Sequence, residues 1–373
     1  MLLLTGATGF LGSRLCAELL RRTDEDITCL VRAESAGPAD IRLRERLRRQ
    51  DQDIADSGRL HVVAGDFSQP YLALDVPSYQ SLAHRTRVVY HCGASVNMAA
   101  AYQDLAPANV AGTREILKFC RAAGADALHF VSSLGVFLSS RAVGLTVVSE
   151  STPPSSGTCS EIGYPRSKYE AEQLVRAASA STGLHARIYR PSLVLADSRD
   201  GACPHDDFTA CLLAAVVATG AFPHTDSHLP VITADHAAQS IAALSLAGAG
   251  PDSYPVTRPT PLPVIEFARQ ARAFGYSVTP TTSAEWNDRL RSLGSNRAAL
   301  AMRALPISRY LLGLRTDTQP PDFRVGATTA LTSRLGIRSP ATDHSYFSRV
   351  FTHLINSKVL PPPRSPASPR RSA

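Results

Sequence analysis

Short apolar runs recur along the first half of the chain, separated by stretches in which apolar residues return at helical spacing. MLLLT opens the chain as a four-to-five-residue apolar run, and Leu11, Leu15 and Leu19 then fall at i, i+4 and i+8 with Leu20 beside them. The first pattern predicts a strand and the second a helix packed along one face. ITCLV, HVVAG, VVYHCG, ALHFVSS and ARIYRPSLVL read as further strands. Helical stretches lie between several of them, among them NVAGTREILKFCRAAG, which closes on a glycine stop. This alternation predicts an α/β chain built on a doubly wound parallel sheet covered on both faces. After about Leu195 the pattern loosens and prolines multiply (Pro251, Pro255, Pro259, Pro261, Pro263). Apolar helices are predicted at Phe208–Thr219, Ala234–Leu246 and Leu262–Phe274, and YPVTRP reads as a strand returning to the sheet. The expected organisation is a sheet domain over 1–195 with returning segments near 229–258, a smaller, mostly helical, discontinuous C-terminal substrate domain over 196–360, and a disordered Pro/Ser/Arg-rich tail over 361–373.

Composition narrows the class. With 373 residues and 44% hydrophobic content the chain can bury a large core. Its net charge of +7 suits anionic ligands or acidic partners. Aromatic content is only 6% and no nucleic-acid module is recognisable, so nucleic acid is not an expected partner. The seven cysteines form no CxxC pair and are odd in number, which argues against a disulfide framework or zinc site and for a reducing cytoplasm. MLLL lacks the basic flank and length of a signal peptide. The longest apolar run, Cys211 to Phe222, is too short to span a bilayer and reads as a buried helix.

The chemistry begins at TGATGFLG. Gly6, Gly9 and Gly12 follow a strand and open a helix, the context a dinucleotide fingerprint requires. A side chain there would displace a pyrophosphate or separate helix from strand, and the helix N-terminus offers free N–H groups to phosphate. A tight turn with a packing glycine is the plainer alternative. A Rossmann-type nucleotide domain is the expectation, with Thr5, Thr8, Phe10 and Leu11 completing the loop. Where NAD-binding folds carry an acid after the second strand, this chain has Arg32. A guanidinium matches a ribose phosphate, so NADPH is favoured. Arg42 either adds a second phosphate contact or belongs to a solvated arginine-rich helix face. Asp66, with Phe67 beside it, stands where an adenine amino group would be met, and Gly93, Ala94 and Ser95 end the fourth strand where backbone approaches the cofactor.

Tyr164 and Lys168 in YPRSK are spaced i, i+4, on one helix face. An ammonium beside a phenol lowers its pKa, so that tyrosine can pass a proton while a nicotinamide passes hydride. Lys168 would also hold the ribose hydroxyls. Ser132 and Ser133 end the VSS strand; Ser133 is the expected donor to a substrate carbonyl, and Ser132 a strand-end serine. Asn109 either caps its helix or supports the site.

Together TGATGFLG, GDF, the VSS strand end, YxxxK and the RP of YRPSLV resemble the extended short-chain dehydrogenase/reductase superfamily. LVRA, HCGASVN, NVAGTREIL, HDDFTACLLAAVVATGAFP and EWNDRL narrow the resemblance to thioester reductase domains of peptide and polyketide synthetases and carboxylic acid reductases, over residue 1 to about Pro361. The resemblance implies NADPH as cofactor and a thioester on a carrier-protein phosphopantetheine, or on coenzyme A, as substrate. It implies hydride attack that releases an aldehyde, or an alcohol after a second reduction. It implies Ser133, Tyr164 and Lys168 as catalytic residues, and Pro191 and Ser192 beside the nicotinamide. Three departures stand out: Ser133 where threonine is common, Cys92 in place of asparagine, and Ser192 in place of the glycine of RPG. Beginning at its first strand, the chain reads as a stand-alone enzyme or a piece of a synthetase. The rival readings are a nucleotide-sugar epimerase or dehydratase, or a hydroxysteroid-type dehydrogenase, of the same superfamily, and a non-catalytic NADP sensor. His205, Asp206 and Asp207 tempt as metal ligands but lack a second cluster, so a loop or helix cap is expected and no metal. Trp286 is read as a core or interface residue.

Overall fold

The structure is a computed structural model and describes residues 1–248, 250–295 and 320–363. Its centre is a seven-stranded sheet. β1 (Leu2–Thr5), β2 (Ile27–Val31), β3 (Leu60–Ala64), β4 (Val88–His91) and β5 (Ala127–Val131) are joined by the strands His185–Pro191 and Ser253–Val256. From edge to edge the order is Ser253–Val256, His185–Pro191, β5, β4, β1, β2, β3, and all pairings are parallel. The chain therefore reverses its direction of travel across the sheet between β1 and β4. The carboxyl ends of those two strands border the crevice where ligands of doubly wound sheets bind.

Strand periodicity assigns the faces. Leu2 and Leu4 of β1, Cys29 and Val31 of β2 and Tyr189 pack with α1 (Phe10–Arg22), α2 (Ala36–Arg48) and the helix Ala234–Leu246. The alternate residues Leu3, Leu30, Val89, Phe130 and Ile188 pack with the helices Val76–Arg85, Gly112–Ala123 and Gly163–Thr182. Each fully buried leucine of this kind contributes roughly 1.5–3 kcal/mol. ARIYRPSLVL is not one strand: it breaks at Ser192 into His185–Pro191 and Leu193–Leu195, the second pairing with Val231–Thr233 instead of the main sheet. Ser192 N–H donates to the Val256 carbonyl (3.0 Å), the last rung of that strand pairing.

The Cα packing divides the chain into two compact units. The first comprises Met1–Val194, Pro230–Pro259 and Pro320–Ser339. The last of these segments falls inside the stretch expected as substrate domain, yet it pairs Asp322–Arg324 with Val147–Ser149 of the first unit. The second unit holds Leu195–Leu229 with the described residues of 260–295 and 340–363. In it the helix Phe208–Thr219 is apolar all round and buried over Phe208–Val216, as a core helix must be. Asp207 caps that helix, accepting from Ala210 N–H at 2.7 Å. The segment expected as a helix over Leu262–Phe274 is helical from Ile265 to Ala273, preceded by a short strand, Leu262–Pro263. Trp286 is buried there and donates to Thr219 Oγ1 at 3.2 Å. Of the expected tail, 364–373 lies outside the described residues.

Candidate nucleotide-binding and catalytic site

β1 ends at Thr5 and α1 begins at Phe10, so the turn between them is four residues long. Gly6 sits at φ +77°, and a Cβ there would lie 2.6 Å from Gly93 N. A Cβ on Gly12 would lie 2.1 Å from Gly6 O. Glycine at these two points lets α1 sit directly on the turn and brings the loops after β1 and β4 together. Gly9 is exposed and precedes α1 without a side-chain cap, so no capping side chain takes up the N–H groups of the first turn.

Arg42 does more than decorate a solvated face. Its guanidinium reaches from α2 to the loops, donating to the Arg32 carbonyl (2.8 Å) and to Thr8 Oγ1 (3.1 Å). Arg32, the first residue after β2, and Arg42 are both exposed, and the Arg42 guanidinium lies beside the glycine turn.

The other residues expected at the cofactor also hold the loops around the turn. Thr5 is fully buried, and its hydroxyl joins Gly93 N–H (3.1 Å) to His91 Nδ1 (2.7 Å). Asp66 Oδ1 accepts from Ser68 N–H (2.9 Å) and Ser68 Oγ (2.7 Å), tying its own turn. Phe67 packs behind the second loop: a Cβ on Gly93 would meet its ring at 2.6 Å, and it lies edge-on to His91 at 5.2 Å between centroids. Asn109 caps nothing. It stands in a π-helical segment, Pro107–Ala111, and clamps Ser95 by both backbone groups: Oδ1 accepts from Ser95 N–H (2.7 Å) and Nδ2 donates to Ser95 O (2.9 Å). Its remaining amide hydrogen goes to Ser167 Oγ at 2.9 Å, leaving its side chain no free donor. Ala94 and Leu11 are half-buried along the two loops.

Gly163, pressed against Ala100 and Tyr102, starts the helix that carries Tyr164 in its first turn and Lys168 in its second. Lys168 is buried; its ammonium donates to the Val131 carbonyl at 2.7 Å and lies 4.4 Å from the centroid of the Phe130 ring. Burial lowers its pKa to about 8. Tyr164 is half-buried and its hydroxyl has no hydrogen-bond partner among the described residues. Burial raises its pKa, and the Cys92 thiol adds to the rise, the reverse of the depression expected from the lysine neighbour.

Ser133 and Ser132 divide as their surroundings dictate. Ser133 Oγ accepts from Gly135 N–H (3.0 Å), which leaves its O–H free to donate, and Gly135 sits between that oxygen and the Pro165 ring. Ser132 Oγ instead donates to Glu172 Oε2 at 2.9 Å. Glu172 is wholly buried and receives Arg190 at both oxygens (3.1 and 2.5 Å) and Arg176 at 3.0 Å. Burial pushes its pKa up, but the bonds from the two arginines outweigh that and hold it below the ordinary carboxylate value. Sequence reading missed Glu172, although it lies one turn beyond Lys168 on the same face. It also missed His91. Pro191 ends its strand opposite Val256, and the next residue, Ser192, is buried with an unpartnered Oγ.

These features fit a nicotinamide dinucleotide. The uncapped helix start behind Gly9 offers N–H donors to a pyrophosphate, and the orphaned Ser192 Oγ offers a hydrogen bond at the far end of the crevice. Lys168 and Tyr164 lie one helical turn apart.

The chain belongs to the extended short-chain dehydrogenase/reductases, in the branch of terminal thioester reductase domains, a nicotinamide-dinucleotide-binding family. Residues 4–241 match the family described as male sterility protein. The terminal R domain of the myxalamid PKS-NRPS pathway superposes with a TM-score of 0.87 at 32% identity, covering 97% of this chain and 92% of that one. The reductase domain of a nonribosomal peptide synthetase from Mycobacterium tuberculosis gives 0.77 at 27%, covering 96% and 92%. A linear gramicidin synthase of Brevibacillus parabrevis is 31% identical over 360 residues, 96% of this chain but 7% of that protein. The L-2-aminoadipate reductase of Penicillium chrysogenum is 30% identical, over 88% of this chain and 25% of its own length. The chain thus spans a small part of the curated relatives it matches. Among the described residues no helix is long and apolar enough to cross a membrane.

Proposed function

We propose that this chain reduces an acyl or peptidyl thioester, held on the phosphopantetheine of a carrier protein or on coenzyme A, with NADPH. The observation that carries the reading is the division of labour at the strand end and helix start. Ser133 and Tyr164 keep free hydroxyl donors, while Ser132 is tied to Glu172 and Lys168 to Val131. NADPH, when bound, supplies the hydride. Ser133 and Tyr164 donate to the thioester oxygen as negative charge grows on it, and the Tyr164 proton ends there. The resulting hemithioacetal returns its hydroxyl proton to the Tyr164 phenolate and expels a thiolate, which takes a proton from solvent, leaving an aldehyde; a second round gives an alcohol. Lys168 holds the ribose hydroxyls and the charge beside the phenol. The names of the relatives, synthetases and an aminoadipate reductase, support a place in secondary-metabolite or amino-acid chemistry.

We assign nucleotide binding to the first unit and recognition of the acyl chain to the second. The net charge of +7 suits an acidic carrier domain. The Cys16 and Cys29 sulfurs, hydrogen-bonded at 3.8 Å and not joined in a disulfide, support a reducing cytoplasm. The test is single-turnover loss of reduced-nicotinamide absorbance with acyl-pantetheine, acyl-coenzyme A and acyl-carrier substrates, products trapped. Aldehyde or alcohol from a thioester is expected; turnover of only a sugar nucleotide or free ketone sinks the reading.

Arg32, Arg42 and Thr8 support NADPH over NADH. Arg42→Ala should raise KM for NADPH roughly 10- to 100-fold, a loss of one charge-assisted bond worth about 1.5–3 kcal/mol, and leave KM for NADH within about twofold. Equal loss with both cofactors in steady-state kinetics would assign Arg42 to loop structure alone.

A further inference from the structure

His91 is the last residue of β4, directly opposite Thr5 in the parallel register with β1. It is buried, with Phe67 edge-on at 5.2 Å and Phe130 tilted against it at 5.7 Å between ring centroids. Both ring nitrogens are partnered: Nδ1 with Thr5 Oγ1 at 2.7 Å and Nε2 with Thr113 Oγ1 at 3.3 Å.

The neighbours fix where the protons lie. Gly93 N–H donates to Thr5 Oγ1 (3.1 Å), and within this fully buried pocket the Thr5 hydroxyl proton has Nδ1 to go to. Nδ1 is therefore the acceptor. On the other side the Thr113 hydroxyl donates to the Asn109 carbonyl at 2.7 Å, so its oxygen accepts from Nε2–H. A second ring proton would strand the Thr5 hydroxyl, and burial together with the Lys168 ammonium lowers the pKa of His91 to about 3. The chain of bonds continues. Asn109 Nδ2 donates to Ser167 Oγ (2.9 Å), which donates to the Tyr164 carbonyl (2.8 Å). Asn109 also clamps Ser95. One directional series thus runs from the cofactor loop at Gly93 to the turn that carries Tyr164.

We propose that His91, fixed as the neutral Nε2–H tautomer, is a positioning residue that ties the nucleotide loop at Gly93 to the catalytic turn at Tyr164. Its two halves serve two sites: Nδ1, through Thr5, sets the loop that meets the cofactor, and Nε2, through Thr113 and Asn109, sets the tyrosine. The role in turnover rests on the thioester-reductase reading; the tautomer and the role in cofactor binding do not.

Three variants separate the halves. In His91→Gln the side-chain amide stands near Nε2, keeping Thr113 and losing Thr5; in His91→Asn it stands near Nδ1, keeping Thr5 and losing Thr113. His91→Gln should weaken NADPH binding about tenfold with kcat changed less than about threefold, and His91→Asn the converse, each tenfold being one hydrogen bond. His91→Phe should lose both. Nitrogen-15 NMR of the intact protein should show the Nε2–H form with no titration between about pH 5.5 and 8.5, where an ordinary histidine titrates. An Nδ1–H or imidazolium signal overturns the proposal. So do parallel changes of both constants in the Asn and Gln variants, or wild-type constants in the Phe variant. If His91→Phe fails to fold, the Asn and Gln pair carries the test. If no thioester is turned over at all, NADPH dissociation constants and the tautomer still decide the cofactor half, so failure of the function and failure of the proposal read differently.

Discussion

Replacing Tyr164 by phenylalanine is expected to lower kcat for thioester reduction by about 10²- to 10⁴-fold, the range for loss of a positioned proton donor, while NADPH binds within about twofold of wild type. The hydroxyl is the one atom removed, and it has no bond to any described residue, so the fold loses nothing with it. Ser133 would still polarise the thioester oxygen, which sets a residual rate above background. For the wild type, kcat should fall on the alkaline side with a break at or above about pH 8, as Lys168, whose pKa burial lowers to about 8, loses its ammonium charge. A Tyr164→Phe enzyme within tenfold of wild type in single-turnover assays would move the proton donor elsewhere, with Ser133 the next candidate.

Replacing Glu172 by leucine is expected to cost about 3–5 kcal/mol of stability, because it leaves Arg190, only 1% exposed, as an uncompensated buried charge. It also releases Ser132 at the strand end beside Ser133. Glu172→Leu with Arg190→Met should recover part of that loss, since the cost is the stranded ion more than the missing pair. The sign with pH follows from the depressed pKa of Glu172 in the folded chain. The carboxylate's contribution is fully present above the unfolded carboxyl value of about 4.3 and is lost as pH falls through the lower folded value. Urea midpoints of the wild type should therefore drop below about pH 4, and the Glu172→Leu variant should lack that component of the fall. An unchanged midpoint at neutral pH in Glu172→Leu would show that the pair stabilises nothing.

Much of the site was legible because its parts are local. The glycine turn, the strand-to-helix step and the i, i+4 placement of Tyr164 and Lys168 are properties of a few consecutive residues, and backbone geometry alone fixes them. Arg32 could be read because it directly follows a recognisable strand. Between Ser132 and Ser133 the sequence offered two adjacent hydroxyls, and the buried carboxylate of Glu172, 40 residues away, takes up the first of them. Asn109 was open between two roles because its partners, Ser95 and Ser167, come from two other segments.

By itself the sequence determined the alternation of strands and helices, the glycine turn after β1 and the placing of Tyr164 and Lys168 one helical turn apart, since periodicity, glycine sterics and helical spacing act within a few residues. Only the tertiary structure decided the rest. It broke the sixth strand at Ser192 and joined Pro320–Ser339 to the first unit. It set Arg42 against Thr8, buried Glu172 with Arg190, and placed His91 opposite Thr5 across 86 residues. Those relations depend on strand order and register, and the exclusion of water between layers is what makes each polar group there find a partner.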